Sequence, residues 1–429
     1  MKPETSTGWE HARIRFKARV NPKATLDLDP SDQVSFVPME AVGDDGTLVL
    51  DRTRAVSEVS QGYTYFEDGD VSIAKITPCF ENGKGAVMDG LVGGAGFGTT
   101  ELIVLRPEED VSAKFLYYLT QSDRFRCVGE AAMLGSGGQK RVPDLFVKDF
   151  NTQWPAKNIQ IAIASFLDAE TARIDGLIDD KQALVDSLKE MRRSSVAEAI
   201  TRGVRNTRAM RPSGLSWVAE IPANWRTLSL KRFVRLSGGH TPATGNPAYW
   251  DGNVPWFSPK DMKADELHDS IDHVTDLAVD ESGLHVIDPG TTMIVVRGMI
   301  LAHTFPVCVA QVKATLNQDM KALVPEDDVH PRFLPWLLRG ASALFLSLTE
   351  QSAHGTMALR TDRFMGEKLP IPPRAEQLEI VEHLEAERQR IDLLLRQVDD
   401  EIGLLRELRV VTITDAVLGR IDVREHMKN

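Results

Sequence analysis

The chain has 429 residues, 42% of them hydrophobic, and a formal net charge of -12 at pH 7. A chain of this length buries more than one core, so we expect two or more domains. The acid excess argues against a simple nucleic-acid binder, because phosphate contacts need a local surplus of Lys and Arg.

The sequence predicts neither a membrane segment nor a secretory signal. It contains no run of about eighteen uncharged apolar residues, and residues 1–6 lack the apolar stretch of a signal peptide. We therefore expect a cytoplasmic protein without membrane association. The cysteines Cys79, Cys127 and Cys308 lie far apart without Cys-x-x-Cys spacing, which supports neither a disulfide framework nor a zinc site.

Charge is segregated along the chain. Basic residues cluster near the start and again in the second half, at Arg13, Arg15, Lys17, Arg19 and Lys23 and at Arg226, Lys231, Arg232 and Arg235. Acidic residues collect within 168–180 and 376–387. This segregation is compatible with a local nucleic-acid surface, although solvated charged faces are the usual explanation of any single cluster.

The chain contains an internal repeat. Pro155-x-Lys157-x-x-Gln160 recurs as Pro372-x-Arg374-x-x-Gln377, at an offset of 217 residues (372 − 155). The same offset relates Gly138 to Gly355 and Ala199 to Ala416, which indicates a duplication. Upstream of each repeated motif, short β-rich runs bounded by Gly and Pro lead to a short helix.

Each repeated segment predicts one long helix. A mostly apolar set of residues steps by alternating threes and fours, as in a coiled-coil seam. Its members are Ile163, Leu167, Glu170, Ile174, Leu177, Lys181, Leu184, Leu188 and Met191, and again Ile380, Leu384, Glu387, Ile391, Leu394, Val398, Glu401, Leu405 and Leu408. Because the first helix ends where the second sheet-rich segment begins, paired helices must be antiparallel. Amphipathic helices packed on separate cores remain the alternative.

The order of local strings resembles the specificity subunits of Type I restriction-modification enzymes. The strings that carry the resemblance are residues 75–79 (KITPC), 82–84 (NGK), 236–242 (LSGGHTP), 254–262 (VPWFSPKDM), 316–321 (LNQDMK) and 370–377 (PIPPRAEQ). The first half departs from the pattern, since Ala156 and Ile159 stand where the second half has Pro373 and Glu376. The resemblance extends over nearly the whole chain.

This resemblance implies an α+β fold in which two α/β target recognition domains alternate with two long helices, related by a pseudo-twofold internal repeat. The expected boundaries are 1–153 and 207–369 for target recognition domains 1 and 2, and 154–206 and 370–429 for conserved helical spacers 1 and 2. Each recognition domain would read one half of a split, asymmetric site on double-stranded DNA.

The resemblance also implies partners. The helices would hold two methyltransferase subunits, and restriction motor-nuclease subunits could join them. S-adenosylmethionine, ATP and Mg would belong to those partners, so we expect this chain to have no cofactor, no metal and no catalysis of its own.

Motifs for catalysis are incomplete. Asn246-Pro247-Ala248-Tyr249 lacks the second Pro of an amino-methyltransferase loop, and the glycine-rich residues 93–98 lie in the other half of the chain. Asp251 with Asp261-x-Lys263 fits a nuclease metal site, but this pattern is common. No phosphate-binding loop occurs. A self-contained modification enzyme and a protein scaffold remain the rival classes.

The best candidates for DNA contact are polar residues beside glycines or aromatic residues, where side chains reach base edges. The two loops aligned by the repeat provide Ser136, Gln139, Lys140 and Arg141, and His354, Thr356 and Arg360. The similar strings add Lys75, Thr77, Asn82 and Lys84, and Ser258, Lys260, Asn317 and Gln318. For each loop residue, a flexible solvent loop is an equally good interpretation.

Overall fold

The computed structural model describes residues 8–24, 27–136, 138–205, 209–351 and 355–423. The chain divides into two compact units. Unit 1 comprises residues 1–183 and 399–429, and unit 2 comprises residues 184–398. Each unit therefore contains one sheet-rich segment and parts of both long helices.

Unit 1 is built on two four-stranded sheets. In one, the order is Ala18–Val20, Leu102–Pro107, Val71–Ala74 and Gly85–Val87; in the other it is Thr53–Ala55, Gln33–Val37, Ala95–Gly98 and Thr64–Glu67. A separate ladder pairs Glu10–Arg13 with Asn151–Trp154. The shorter helices are Val56–Val59, Ala113–Gln121, Asp123–Ala131 and Asp144–Asp149, with 3-10 turns at Ile14–Phe16, Met39–Ala41 and Val92–Gly94.

Unit 2 contains a five-stranded sheet in the order Val234–Gly238, Met320–Pro325, Thr292–Val295, Val307–Ala310 and Glu266–Leu267. A three-stranded sheet joins His273–Val274, Trp250–Phe257 and Thr315–Leu316. Strand pairs link Met210–Pro212 to Glu220–Pro222, Arg226–Ser229 to Lys368–Ile371, and Thr349–Gln351 to Met357–Leu359. Its shorter helices are Asp276–Glu281, Leu334–Gly340, Ser342–Leu346 and Thr361–Gly366, with 3-10 turns at Leu230–Arg232, Pro247–Tyr249 and Met299–Ala302.

The central strands of the two units have corresponding positions. Val71–Ala74 is buried at every residue, as is Thr292–Val295, which is expected for strands covered on both faces. Each pairs antiparallel with a following strand, and its last residue lies opposite Leu102 or Met320. The duplication seen in the sequence is therefore present in the sheets.

The two long helices are Lys157–Arg202, with 46 residues, and Arg374–Val417, with 44 residues. Within unit 1, Arg409 pairs with Asp175 at 2.9 Å and Lys181 with Glu401 at 2.5 Å. Because the higher number in one helix meets the lower number in the other, this pairing is antiparallel, as the connectivity predicts.

The helix pairing inside unit 2 has the same direction. Arg192 pairs with Asp392 at 3.1 Å, and Arg205, just past the end of the first long helix, pairs with Glu379. The antiparallel arrangement is therefore established separately in each unit.

The predicted seam is wrong in phase over part of both helices. Leu184 and Met191 are 42% and 49% exposed, whereas the neighbouring Val185 is 4% exposed. In the second helix, Leu394 and Leu408 are exposed and Ile402 is buried. Adjacent apolar residues, such as Leu184 and Val185, allow two seams that differ by one residue, and packing selects the second.

The repeated Pro-x-basic-x-x-Gln motif fastens each sheet-rich segment to its long helix. Gln160 accepts a hydrogen bond from the Ser112 backbone N–H at 2.8 Å and donates to the Pro155 carbonyl at 2.8 Å. Gln377 does the same with the His330 N–H at 2.8 Å and the Pro372 carbonyl at 3.0 Å. Both glutamines are buried, so the motif serves architecture.

Candidate nucleic-acid interface

Four backbone segments of unit 1 meet at one end of its sheets, and we call residues 37–39, 75–77, 99–101 and 140–142 the first rim. Thr99 N–H donates to the Val37 carbonyl at 3.3 Å, and Lys75 N–H donates to the Glu101 carbonyl at 2.8 Å. Thr77 N–H donates to the Lys140 backbone carbonyl at 3.0 Å, and Val142 N–H donates to the Lys75 backbone carbonyl at 2.8 Å.

Unit 2 repeats this construction in the second rim, formed by residues 257–259, 296–298, 317–319 and 357–359. Asn317 N–H donates to the Phe257 carbonyl, and Val296 N–H donates to the Asp319 carbonyl, at 2.9 and 2.8 Å. In the two remaining hydrogen bonds, Gly298 N–H donates to the Met357 carbonyl at 2.9 Å and Leu359 N–H donates to the Val296 carbonyl at 2.8 Å. Each hydrogen bond of the first rim thus has a counterpart in the second.

A tight turn lies in each rim. Glu101 N–H donates to the Thr99 side-chain oxygen at 3.2 Å, and Asp319 N–H donates to the Asn317 side-chain oxygen at 3.0 Å. These are the local side-chain-to-backbone bonds that Thr and Asn favour in turns. The middle residue of each turn, Thr100 or Gln318, is exposed.

The last segment of each rim, residues 140–142 or 357–359, belongs to a hairpin. In unit 1 it is closed by a bridge between Leu134 and Arg141, and in unit 2 by the strand pair Thr349–Gln351 and Met357–Leu359. Gly138 and Gly355 have φ of 77° and 81°, a left-handed conformation that glycine adopts without strain. The 217-residue offset therefore aligned two equivalent glycines.

The structure brings together several of the residues predicted in the first half. Lys75, Thr77, Lys140 and Arg141 belong to the first rim, and Ser136 and Gln139 lie in its hairpin. Lys84 is near the rim, since its ammonium donates to the Met39 carbonyl at 3.4 Å. Asn82 lies in the turn before Lys84, and its backbone N–H donates a hydrogen bond to the Pro78 carbonyl.

Arg141 is engaged inside the first rim. Its guanidinium donates to Glu101, from Nη2 to Oε1 at 2.7 Å and from Nε to Oε2 at 2.9 Å. These hydrogen bonds lower the pKa of the Glu101 carboxyl below its ordinary value. Arg141 therefore holds the hairpin against the turn.

The residues predicted in the second half divide by exposure. Ser258 and Asn317 are buried and bonded locally; the Ser258 hydroxyl donates to Asp261 at 2.9 Å. Lys260 and Gln318 are exposed, and the Gln318 amide oxygen accepts from the Thr241 hydroxyl.

The second hairpin contains the other predicted residues of this half. Arg360 pairs with Asp362 at 3.1 Å and with Glu350 at 3.3 Å, while Thr356 precedes the strand Met357–Leu359. His354 lies outside the described residues.

Two features of the rims were not predicted from the sequence. Thr99 and Thr100 form the counterpart of Asn317 and Gln318, but the strings have too little in common to align without the strand register. Arg297 is exposed in the second rim and bridges to the hairpin at Ala358. The available signal was its position two residues after the apolar strand Thr292–Val295.

The sequence motifs considered for catalysis have structural roles. The Asp261 carboxylate accepts hydrogen bonds from the Ser258 and Ile271 N–H groups, each at 2.8 Å. Glycine-rich residues 95–98 form a buried strand, and Asn246 caps a single 3-10 turn. Within the ranges that the structure describes, no cluster of His, Cys, Asp and Glu could hold a metal ion, and no helix is long and apolar enough to cross a membrane.

The fold and the two rims define a class of protein: the chain is internally duplicated, carries a rim at the strand ends of each unit, and has two long antiparallel helices. A model of the Type I restriction modification DNA specificity domain matches residues 222–402. The resemblance to Type I specificity subunits that the sequence indicates is therefore confirmed.

Two curated relatives come from Escherichia coli. The EcoEI specificity subunit is 36% identical over 195 residues, which is 45% of this chain and 31% of that protein. The EcoAI specificity subunit is 41% identical over 155 residues, which is 35% of this chain and 26% of that protein. The chain thus matches about a third or less of the length of these relatives.

Solved structures share the fold over nearly the whole chain. A chain described with the words "complex assembly and conformational transition of the type I R-M system" matches with a TM-score of 0.76 and 20% identity, over 96% of this chain and 98% of its own length. The HsdS subunit from Thermoanaerobacter tengcongensis matches with a TM-score of 0.56 and 19% identity, over 96% of this chain and 97% of its own length.

Proposed function

We propose that the chain is the DNA specificity subunit of a Type I restriction-modification complex. It binds a bipartite, asymmetric site on double-stranded DNA and directs methyltransferase and restriction subunits to that site. Segments 1–153 and 207–369 act as the target recognition domains, and segments 154–206 and 370–429 as the helical spacers. The complex works in the cytoplasm.

The observation that carries this proposal is that the two rims share a backbone scaffold but not their side chains. Lys75, Thr100 and Arg141 of the first rim correspond to Val296, Gln318 and Ala358 of the second. Because base sequence is read by side chains in the grooves, equal scaffolds with unequal side chains suit two different half-sites.

Local charge removes the objection raised by the net charge. In the second half, Lys260 and Arg297 are exposed beside or within the second rim. Many of the acidic residues lie on the long helices, where Asp175, Asp392 and Glu379 are engaged in ion pairs. Phosphate contact needs positive charge only at the binding face.

Catalysis belongs to the partners in this proposal. Two methyltransferase subunits supply S-adenosylmethionine chemistry, and motor-nuclease subunits use ATP and Mg. The chain itself contributes the choice of DNA sequence and the surface on which those subunits assemble.

Reconstitution tests the proposal. The purified chain, its cognate methyltransferase subunits and their mixture are each incubated with DNA and labelled S-adenosylmethionine. We expect methyl transfer only from the mixture, with no cleavage or ATP hydrolysis by the chain alone. Methyl transfer by a chain free of other subunits would establish the rival enzyme, and a mixture that methylates without sequence preference would overturn the specificity role.

A further inference from the structure

We propose that Thr100 and Gln318 are equivalent base-reading residues, one for each half-site. This inference rests on the proposed function and identifies the side chains that perform it. Each residue occupies the middle of the tight turn in its rim, and each is exposed.

Hydrogen bonds of the flanking residues fix the backbone of each turn. The side chains of Thr99 and Asn317 bond to the backbone two residues later. Leu102 N–H donates to the Thr99 carbonyl at 3.2 Å, and Met320 N–H donates to the Asn317 carbonyl at 3.3 Å. The backbone of such a fixed turn loses little conformational freedom when its middle residue binds, which favours specific contact.

The backbone at Gly239 also packs closely against the turn of the second rim. A Cβ atom on Gly239 would lie 1.9 Å from the Asn317 carbonyl oxygen and 2.4 Å from that of Leu316. Only glycine permits this approach of the two backbones, so the position of Gln318 is fixed by neighbouring main chain.

The chemistry of Gln318 is that of a base reader. Its amide oxygen accepts a hydrogen bond from the Thr241 hydroxyl, which leaves the amide NH2 group to donate. The amide oxygen keeps a second lone pair, so Gln318 can donate to adenine N7 and accept from the adenine N6 amino group, the two hydrogen bonds by which Gln reads adenine in the major groove. Thr241 is then a positioning residue, because it orients the amide without reaching the base.

Thr100 offers a different surface at the equivalent position. Thr100 lines an open cleft of about 720 Å³ together with Lys75 and Tyr63. A Thr hydroxyl bonds to several base edges, and its methyl group contacts that of thymine. The two turns therefore present unlike chemistry from the same scaffold, as an asymmetric site requires.

Variants of the full chain, assembled with cognate methyltransferase subunits, test this inference. Thr100→Ala and Gln318→Ala are assayed by competition binding against duplexes in which each half-site base pair is replaced in turn. We expect each variant to lose discrimination at one base pair of one half-site by roughly tenfold or more, while the other half-site keeps its discrimination. Gln311→Ala, beyond the opposite end of the same sheet, should change neither.

Two further variants separate reading from folding. Gln318→Glu replaces the donor by acceptors and should shift preference at that base pair toward cytosine, whose amino group donates. Thr241→Val should relax the same base pair as Gln318→Ala, and no other.

Discrimination unchanged at every base pair in Thr100→Ala and Gln318→Ala, in complexes whose wild type is specific, overturns the inference and leaves the proposed function standing. A wild-type complex without a split site overturns both.

Discussion

The guanidinium of Arg141 and the carboxylate of Glu101 join the hairpin of the first rim to its turn, with Nη2–Oε1 at 2.7 Å and Nε–Oε2 at 2.9 Å. A bidentate pair fixes orientation as well as distance. Lys140, the preceding residue, is exposed. We therefore infer different roles for these adjacent cations: Arg141 positions the hairpin, and Lys140 is available to contact a DNA phosphate.

Single substitutions should separate these roles. Lys140→Ala should reduce the salt dependence of DNA binding by about one unit in log–log slope, because one phosphate contact is lost. Arg141→Ala should weaken binding to the first half-site with little change in slope, since its charge is engaged by Glu101. Titrations of the assembled complex over a salt series measure both, and equal slopes for Lys140→Ala and wild type would remove Lys140 from the phosphate contacts.

The same pair predicts a pH dependence of stability. Arg141 lowers the pKa of Glu101 below its ordinary value of 4.5 in the folded state. The pair therefore contributes stability at pH above 4.5, and this contribution is lost as the pH falls through the lowered pKa. In urea unfolding from pH 7 to pH 3, Glu101→Gln and Arg141→Gln should be less stable than wild type at pH 7, and this difference should narrow as the pH falls below 4.5. A difference that stays constant over the whole range would contradict this assignment.

The buried side chains of Gln160 and Gln377, which hydrogen-bond each sheet-rich segment to its long helix, are predicted to be needed for stability. Gln377→Ala leaves the His330 N–H and the Pro372 carbonyl without their side-chain partner, and each buried unpaired group costs roughly 1–3 kcal/mol. Gln160→Ala should behave alike in unit 1. Gln397→Ala, at an exposed position of the same long helix as Gln377, should change stability little. If denaturant unfolding showed that Gln397→Ala lowers the free energy of unfolding as much as Gln377→Ala and Gln160→Ala do, the stabilising role of the two buried glutamines would be refuted.

The helix seam distinguishes two adjacent residues. Val185→Asp puts a carboxylate at a position that is 4% exposed, and a buried unpaired charge is strongly destabilising. Leu184→Asp, one residue earlier and 42% exposed, should retain near wild-type stability. Thermal unfolding of both variants decides between the two seams, and the reverse ranking would restore the seam predicted from the sequence.

These residues also mark how far the sequence predicts the structure. Repetition revealed the duplication, both long helices and the equivalent Gly138 and Gly355, because such features depend on local pattern. Seam phase was ambiguous, since Leu184 and Val185 are both apolar and tertiary packing alone chooses between them. Thr100 could not be paired with Gln318, because their equivalence lies in backbone hydrogen bonds between distant strands.

A map of methylated bases in cells that carry the cognate methyltransferase with and without this chain tests the DNA-specificity function directly. We expect methylation at one split, asymmetric sequence, present only with the chain, and relaxed in one half by Gln318→Ala and in the other by Thr100→Ala. Methylation of the same sequence without the chain, or of a single undivided sequence with it, would contradict the specificity function.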